Sequence, residues 1–83
     1  MKIGEKLLKV LSKKYAPMEM ITQKFGRYDI SFKTDQEGNP ILLFIGALDR
    51  DGRINGERFV RVLIKDKAGQ ILKDHWDAKG KIG

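Results

Sequence analysis

The chain has 83 residues, a net charge of +6 and no cysteine. A chain of this length forms one domain with a modest core, so we treat residues 1–83 as a single domain. The absence of cysteine excludes disulfides and thiolate metal sites and favours a reducing, cytoplasmic location. We predict no membrane span, because the longest apolar stretch, residues 41–48, is too short to cross a bilayer as a helix. Lysines interrupt every apolar run near the N-terminus, which argues against a signal peptide.

Residues 1–17 form the first predicted element, a basic amphipathic helix. Apolar residues, among them Leu7 and Leu11, recur at spacings of three and four, as they do on one helix face. This segment holds five lysines and one glutamate, a net +4, whereas residues 18–83 hold twelve basic and ten acidic residues, a net +2. Pro17 predicts the end of the helix, since the residue before proline disfavours the α conformation. We expect the helix to cover a sheet face, the alternative being contact with an anionic membrane or nucleic acid.

Residues 18–83 predict an antiparallel β-meander of four or five strands. Four Asp-x-x-Gly motifs punctuate it, at residues 35–38, 49–52, 66–69 and 77–80. Each motif places aspartate at the start of a type I turn and glycine where φ is positive. A break at Gly26 indicates a bend, so residues 20–25 form a separate strand and the sheet could curl into a barrel-like shape. The sequence therefore predicts an α+β fold, in which an N-terminal amphipathic helix packs on a curved, four- or five-stranded antiparallel meander.

The turn geometry predicts the strand register. In a hairpin closed by a G1 bulge, the turn aspartate pairs with the residue after the glycine. The first turn then places Phe32 opposite Leu42, and the third places Val62 opposite Asp74. Paired side chains share a face. One face thus collects ten apolar or aromatic residues: Tyr28, Ile30, Phe32, Leu42, Phe44, Val60, Val62, Ile64, Leu72 and Trp76.

The opposite face of this predicted sheet is a candidate interaction surface. An apolar stripe bordered by charged residues needs a cover, and one helix can cover only one face. The second face must therefore curl closed, self-associate or bind a partner. The predicted surface consists of the stripe residues Ile41, Leu43, Ile45, Phe59 and Leu63 together with Arg27, Lys33, Arg61, Lys73 and His75.

Residues 47–58 resemble the calcium loop of EF-hands and dockerins. Asp49 and Asp51 match its third and fifth positions. Ala47 stands at the first position, where the loop has an acid, and Arg58 stands at the twelfth, where it has a bidentate glutamate. The flanking segments are predicted strands instead of helices. We therefore interpret the segment as a hairpin turn and predict no metal site.

Catalytic residues are sparse. His75 is the single histidine, and its predicted partner Arg61 is a poor orienter for a general base. No histidine pair has the spacing of a zinc site, and the glycines form neither a P-loop nor a dinucleotide fingerprint. We interpret Asp74 as a charge that protects an edge strand, the alternative being a buried carboxylate in a pocket. We therefore predict no enzymatic activity and no cofactor.

Two classes of function remain open. The first is a small non-catalytic protein-interaction or structural module, with an unknown protein partner or self-association. The second is binding of an anionic polymer, in particular single-stranded nucleic acid, through basic residues. Basic and aromatic side chains interleave over residues 24–28, as in sheets that bind single strands. Tyr28 faces the predicted core, however, so we favour the first class.

Overall fold

The chain folds into one short helix and a five-stranded antiparallel sheet. The structure, a computed structural model, describes residues 3–82. Its elements are α1 (Glu5–Leu11), β1 (Met20–Phe25), β2 (Tyr28–Thr34), β3 (Pro40–Leu48), β4 (Ile54–Lys65) and β5 (Ile71–Ile82). The strands lie in the sheet in chain order, with β1 and β5 at the two edges. The α+β meander is confirmed with five strands, whereas the sheet does not close into a barrel.

Three of the four Asp-x-x-Gly motifs form turns with one shared hydrogen-bond pattern. In the first turn, Asp35 Oδ1 accepts hydrogen bonds from the backbone N–H groups of Glu37 and Asn39, both 2.9 Å long. Asp49 and Asp66 accept the same two bonds from the residues two and four positions further on. The three turn glycines have φ angles of 83°, 79° and 83°. These hairpin turns are therefore as predicted, including the turn that resembles a calcium loop.

The fourth motif, residues 77–80, does not form a turn. It lies inside β5, where the register with β4 shifts between Glu57 and Phe59. Two β5 residues there lie opposite one β4 residue, and Gly80 has a φ of 93°. The motif therefore produces a bulge, because β4 extends far enough to keep β5 paired beyond it.

The predicted pairing of β2 with β3 is wrong beyond the turn, because β3 contains a bulge. The pair next to the turn is as predicted, but the register then shifts and leaves Ile41 without a strand partner. Phe32 consequently lies opposite Leu43 instead of Leu42. Since successive side chains of a strand point to opposite faces, this one-residue shift exchanges the two faces of β3 relative to β2.

The pairing of β4 with β5 shifts by one residue in the same way, after the third turn. Val62 lies opposite His75 instead of Asp74. The predicted pairing of β3 with β4, where no bulge intervenes, is confirmed. The turns therefore fix the register only up to the first bulge of each hairpin.

Helix α1 is shorter than the predicted 1–17 segment. It spans seven residues and ends at Leu11, well before Pro17; Met1 and Lys2 lie outside the described residues. Ser12 follows the helix, and its Oγ donates a 2.7 Å hydrogen bond to the Leu8 carbonyl. No helix within residues 3–82 has the length and apolar character needed to cross a membrane.

The segment after α1 is held against the first hairpin turn, which explains the early end of the helix. The Tyr15 N–H donates a 2.9 Å hydrogen bond to the Gly38 carbonyl. The Tyr15 hydroxyl donates a 2.7 Å bond to the Val10 carbonyl, and its ring centroid lies 4.9 Å from that of Phe32. Continuing the helix would break these contacts.

The core lies between α1 and one face of the sheet. Leu7 and Leu11 of the helix are buried, whereas Lys6 and Lys9 are exposed. The buried core cluster consists of Leu7, Leu11, Ile30, Phe32, Leu43, Ile45 and Phe59. Strands β2, β3 and β4 therefore supply the sheet side of the core.

Substitutions at two leucines of α1 test how much the helix contributes to stability. Leu11 is 1% exposed and Leu8 is 38% exposed. We expect Leu11→Ala to lower the free energy of unfolding by about 3 kcal/mol, because it removes buried apolar surface and leaves a cavity. Leu8→Ala, with the same chemical change on the same helix, should cost less than about 1 kcal/mol. Urea denaturation measures both, and equal losses would contradict the packing described.

The first and third turns offer a matched test of how residues 12–17 are anchored. Gly38 and Gly69 both have a φ of 83°, but only at Gly38 would an added Cβ overlap the Tyr15 carbonyl oxygen. We expect Gly69→Ala to cost about 1 kcal/mol through backbone strain alone. Gly38→Ala should cost a further ~1–3 kcal/mol, because the Tyr15 segment must move. Thermal denaturation compares the two, and similar losses would show that this segment is not firmly docked.

Candidate interaction surface

The apolar stripe predicted as an interaction surface lies mainly in the core. Leu43, Ile45 and Phe59 are 0%, 3% and 3% exposed and pack with the helix leucines. Ile41 and Leu63 are half-buried. The assignment of this stripe to an uncovered face was therefore wrong, because the β3 bulge at Ile41 turns Leu43 and Ile45 toward the same face as the apolar residues of β2.

The basic residues of the predicted surface do not form one cluster. Arg27 lies in the turn between β1 and β2, and its guanidinium is 5.3 Å from the Tyr28 ring centroid. Lys33 and Lys73 are exposed, and the register places both on the sheet face away from α1. His75 lies on the same face, opposite Val62 and not opposite Arg61 as predicted.

Arg61 is a structural residue at the junction of three elements. Its side chain is 8% exposed, although the sequence predicted it on a binding surface. Nε and Nη2 donate to the two carboxylate oxygens of Asp74 on β5, at 2.7 and 2.8 Å. Nη1 donates to the carbonyls of Leu11, at the end of α1, and Pro40, at the start of β3, at 3.3 and 3.2 Å. The guanidinium also lies 5.9 Å from the Trp76 ring centroid.

The pairing with Arg61 accounts for Asp74, which we interpreted from the sequence as a charge that protects an edge strand. The hydrogen bonds from Arg61 hold the pKa of Asp74 below its usual value of 3.8, against the opposing effect of partial burial. An ionised carboxylate in a bidentate ion pair is suited to structural anchoring and unsuited to proton transfer. The electrostatics therefore fit neither a general acid nor a general base at this position.

The sheet face turned away from α1, called here the open face, carries an apolar stripe on β3 and β4. By register, the stripe consists of Leu42, Phe44, Val60, Val62 and Ile64. None of them is fully buried, and Ile64 is 47% exposed. The only helix within residues 3–82 packs on the other face. The stripe is thus a partly exposed apolar surface on the face that α1 does not cover, and its residues differ from those predicted.

A groove of about 530 Å³ lies at one end of the stripe, beside the turn between β3 and β4. Phe44, Met20 and Ile54 supply its apolar lining. The hydroxyls of Thr22 and Ser31, which lie 3.2 Å apart, add a polar edge. The groove is large enough for an apolar side chain flanked by a polar group.

The charged residues of the open face leave a surplus of positive charge. Lys33, Arg58 and Lys73 are exposed, and within residues 3–82 none of them forms an ion pair. One acidic residue of this face is already paired with a lysine. Asp29 lies 2.9 Å from Lys24 Nζ, and hydrogen bonding to this lysine lowers the pKa of Asp29.

Asp77, the other acidic residue of the open face, lies 3.2 Å from His75 Nε2. The two side chains stand two positions apart on β5 and therefore on the same side of the strand. Lys79 is also exposed and by register lies on this face, so the exposed basic residues outnumber Asp77 and leave the open face with a net positive charge.

The described residues offer little for metal chemistry, and comparisons with known proteins add no family. Across residues 3–82, no group of three or more histidine, aspartate or glutamate side chains is placed to hold a metal ion. No protein-family model, no curated protein and no solved structure matches the chain. The candidate binding surfaces of the described residues are therefore the open face and the strand edges.

Removal of the Asp74 charge tests the Arg61 junction. Because its pKa is lowered in the folded state, ionised Asp74 stabilises the fold above its unfolded pKa, and this stability is lost as the pH falls through the folded pKa. We expect Asp74→Asn to lower the free energy of unfolding by about 1–3 kcal/mol at pH 7. The difference from wild type should shrink below about pH 4. Denaturation across pH 2–7 measures this; Asp51→Asn, at an exposed turn, is the matched control and should cost little at pH 7.

Proposed function

We propose that the protein is a small non-catalytic protein-interaction module whose binding surface is the open face. The observation that carries this proposal is the stripe of five half-buried or exposed apolar residues on β3 and β4, with the single described helix on the other side of the sheet. A contiguous apolar surface of this kind is typical of a binding site.

The partner is a protein surface that combines apolar side chains with carboxylates. Lys33, Arg58 and Lys73 border the stripe and are exposed, so complementary acidic groups would fix orientation and favour association. The stripe supplies the apolar area, and the groove beside Phe44 can accept one projecting side chain. Face-to-face self-association is disfavoured, because it would bring these unpaired positive charges together in a chain with a net charge of +6.

Binding of single-stranded nucleic acid is the weaker candidate for the same face. Such binding uses several aromatic side chains on which bases stack. Phe44 is the single aromatic residue of the stripe, whereas Phe25 and Tyr28 pack against the core on the helix side. The open face supplies the positive charge for phosphate contacts but only one stacking position.

We further propose that α1 acts as an amphipathic cover for the core and not as the binding element. Burial of Leu7 and Leu11, together with exposure of Lys6 and Lys9, supports this role. The exposed lysines then keep the outer face of the helix hydrated. A cytoplasmic location fits the lack of cysteine.

The open face can be tested with a small amphiphile that carries the proposed partner chemistry. Decanoate, below its critical micelle concentration, joins an apolar chain to a carboxylate. We expect it to shift the amide signals of Leu42, Phe44, Val60 and Val62 saturably in ¹H–¹⁵N spectra. Decyltrimethylammonium, with the same chain and the opposite charge, should bind more weakly. Equal binding of both, or shifts confined to another surface, would contradict the proposal.

Two variants make the test specific. Val60→Thr together with Val62→Thr preserves β-branching but removes apolar contact area, and we expect decanoate to bind at least about threefold more weakly. Ile71→Thr is the control, because Ile71 is 55% exposed and its pairing with Lys65 places it on the other face. A (dT)₁₂ oligonucleotide forms the last arm. If the oligonucleotide shifts the amide signals of the stripe residues with a steep salt dependence, and decanoate does not shift them, the function is nucleic-acid binding.

A further inference from the structure

Strand β5 is a long, unpaired edge of the sheet. It has 12 residues, and its partner in the sheet is β4 on one side, with no strand on the other within residues 3–82. The run paired to β4 without interruption, residues 73–78, presents backbone N–H and C=O groups outward at alternate positions. Such an edge is a template for another extended chain.

A cleft of about 520 Å³ lies beside this edge, on the side of the sheet that carries α1. Leu8 of the helix and Ser12 just after it line one wall, and the sheet side is lined by Phe59, Trp76, Ala78 and the Arg61–Asp74 pair. The seven-residue helix packs on the central strands and leaves this part of the face uncovered. Leu8 is 38% exposed there, and Trp76 is half-buried. The cleft combines apolar walls with a few polar groups, as ligand sites do.

The charged residues of β5 indicate the sign of the charge that a partner should carry. Lys73, Lys79 and Lys81 are exposed. Asp74, one of the two acidic residues of the strand, pairs with Arg61, so the exposed lysines outnumber the remaining acid, Asp77, by three to one. The edge therefore attracts carboxylates. It repels a second copy in the register centred on Trp76, in which Lys73 would face Lys79.

We propose that β5 binds an extended acidic peptide as a sixth antiparallel strand, with apolar side chains of the peptide in the cleft beside α1. Backbone hydrogen bonds to the edge supply affinity, and the cleft supplies specificity, as in other cases of β-strand addition. This site shares Lys73 with the border of the open face, but its cleft lies on the helix side of the sheet, and it does not depend on the function proposed for the open face.

The alternation of β5 defines the peptide sequence. Ala78 and Trp76 point toward the helix side, so the peptide residues opposite them are apolar. His75 and Lys73 point to the other face, so the residues opposite them are acidic. The hexapeptide acetyl-Leu-Thr-Leu-Glu-Thr-Glu-amide matches this pattern. It runs antiparallel to β5, with its first leucine opposite Ala78 and its last glutamate opposite Lys73.

Trp76 provides the signal for the test, because it is the only tryptophan in the chain and lines the cleft. We expect the hexapeptide to change Trp76 fluorescence saturably and to shift the amide signals of residues 73–78. Two control peptides have the same sequence but carry N-methyl groups, one peptide on its odd-numbered residues and the other on its even-numbered residues. Strand addition requires that one of them loses binding and the other retains it, since only one set of amides faces β5. If both N-methylated peptides bind with equal affinity, or if neither binds, the proposal is overturned.

Charge reversal on the protein supplies the second readout. Lys73→Glu should weaken peptide binding about fivefold, whereas Lys67→Glu, at the tip of the hairpin turn, should leave it unchanged. Unaltered affinity in Lys73→Glu would overturn the assignment of the acidic positions. Quenching of Trp76 by (dT)₁₂ in place of the peptide would also overturn the proposal and indicate a nucleic-acid site. Because the decanoate experiment reports on the stripe residues, the two proposals fail independently.

Discussion

The guanidinium of Arg61 joins the helix to the sheet, and the architecture depends on this junction. It donates to Asp74 on β5 and to the carbonyls of Leu11 and Pro40. The carbonyl of Leu11 belongs to the last turn of α1, where such groups lack helical partners. One side chain thus donates hydrogen bonds to a carbonyl at the end of the helix, to a carbonyl at the start of the central strand and to a carboxylate on the edge strand. A helix of seven residues has little stability alone, so this anchor and the two buried leucines must hold it in place.

The bulge at Ile41 determines which residues the fold leaves exposed. It lies directly after Pro40, whose carbonyl accepts from Arg61, and from this point the side chains of β3 change face relative to β2. Leu43 and Ile45 then join the core, while Leu42 and Phe44 move to the open face. Both faces of residues 41–48 are apolar, so hydrophobicity favours neither arrangement. The bulge therefore distinguishes two registers that the apolar pattern leaves nearly equivalent.

The elements that local chemistry determines could be predicted from the sequence, and those that depend on distant contacts could not. Three of the four Asp-x-x-Gly motifs form the turn within five residues, as the repeated hydrogen bonds of Asp35, Asp49 and Asp66 demonstrate, whereas residues 77–80 stay in β5 because β4 pairs with them. The end of α1 depends instead on Tyr15 meeting Gly38, a contact between segments far apart in the chain. The one local signal for the bulge was Pro40, since proline at the start of a central strand often accompanies irregular pairing.

The charged residues were misassigned for the same reason as the apolar ones. Arg61 resembles an exposed basic residue in a strand of mixed polarity, and only its neighbours in the fold identify it as buried. Once Asp74 neutralises it, the free positive charge of the sheet lies elsewhere, on exposed residues that include Lys33, Arg58, Lys73 and Lys79. The positive charge of Arg61 thus stabilises the fold, whereas the charges of the exposed basic residues remain available to a partner. The candidate binding surfaces are therefore the open face and the outer edge of β5, where exposed basic residues lie outside the Arg61–Asp74 pair.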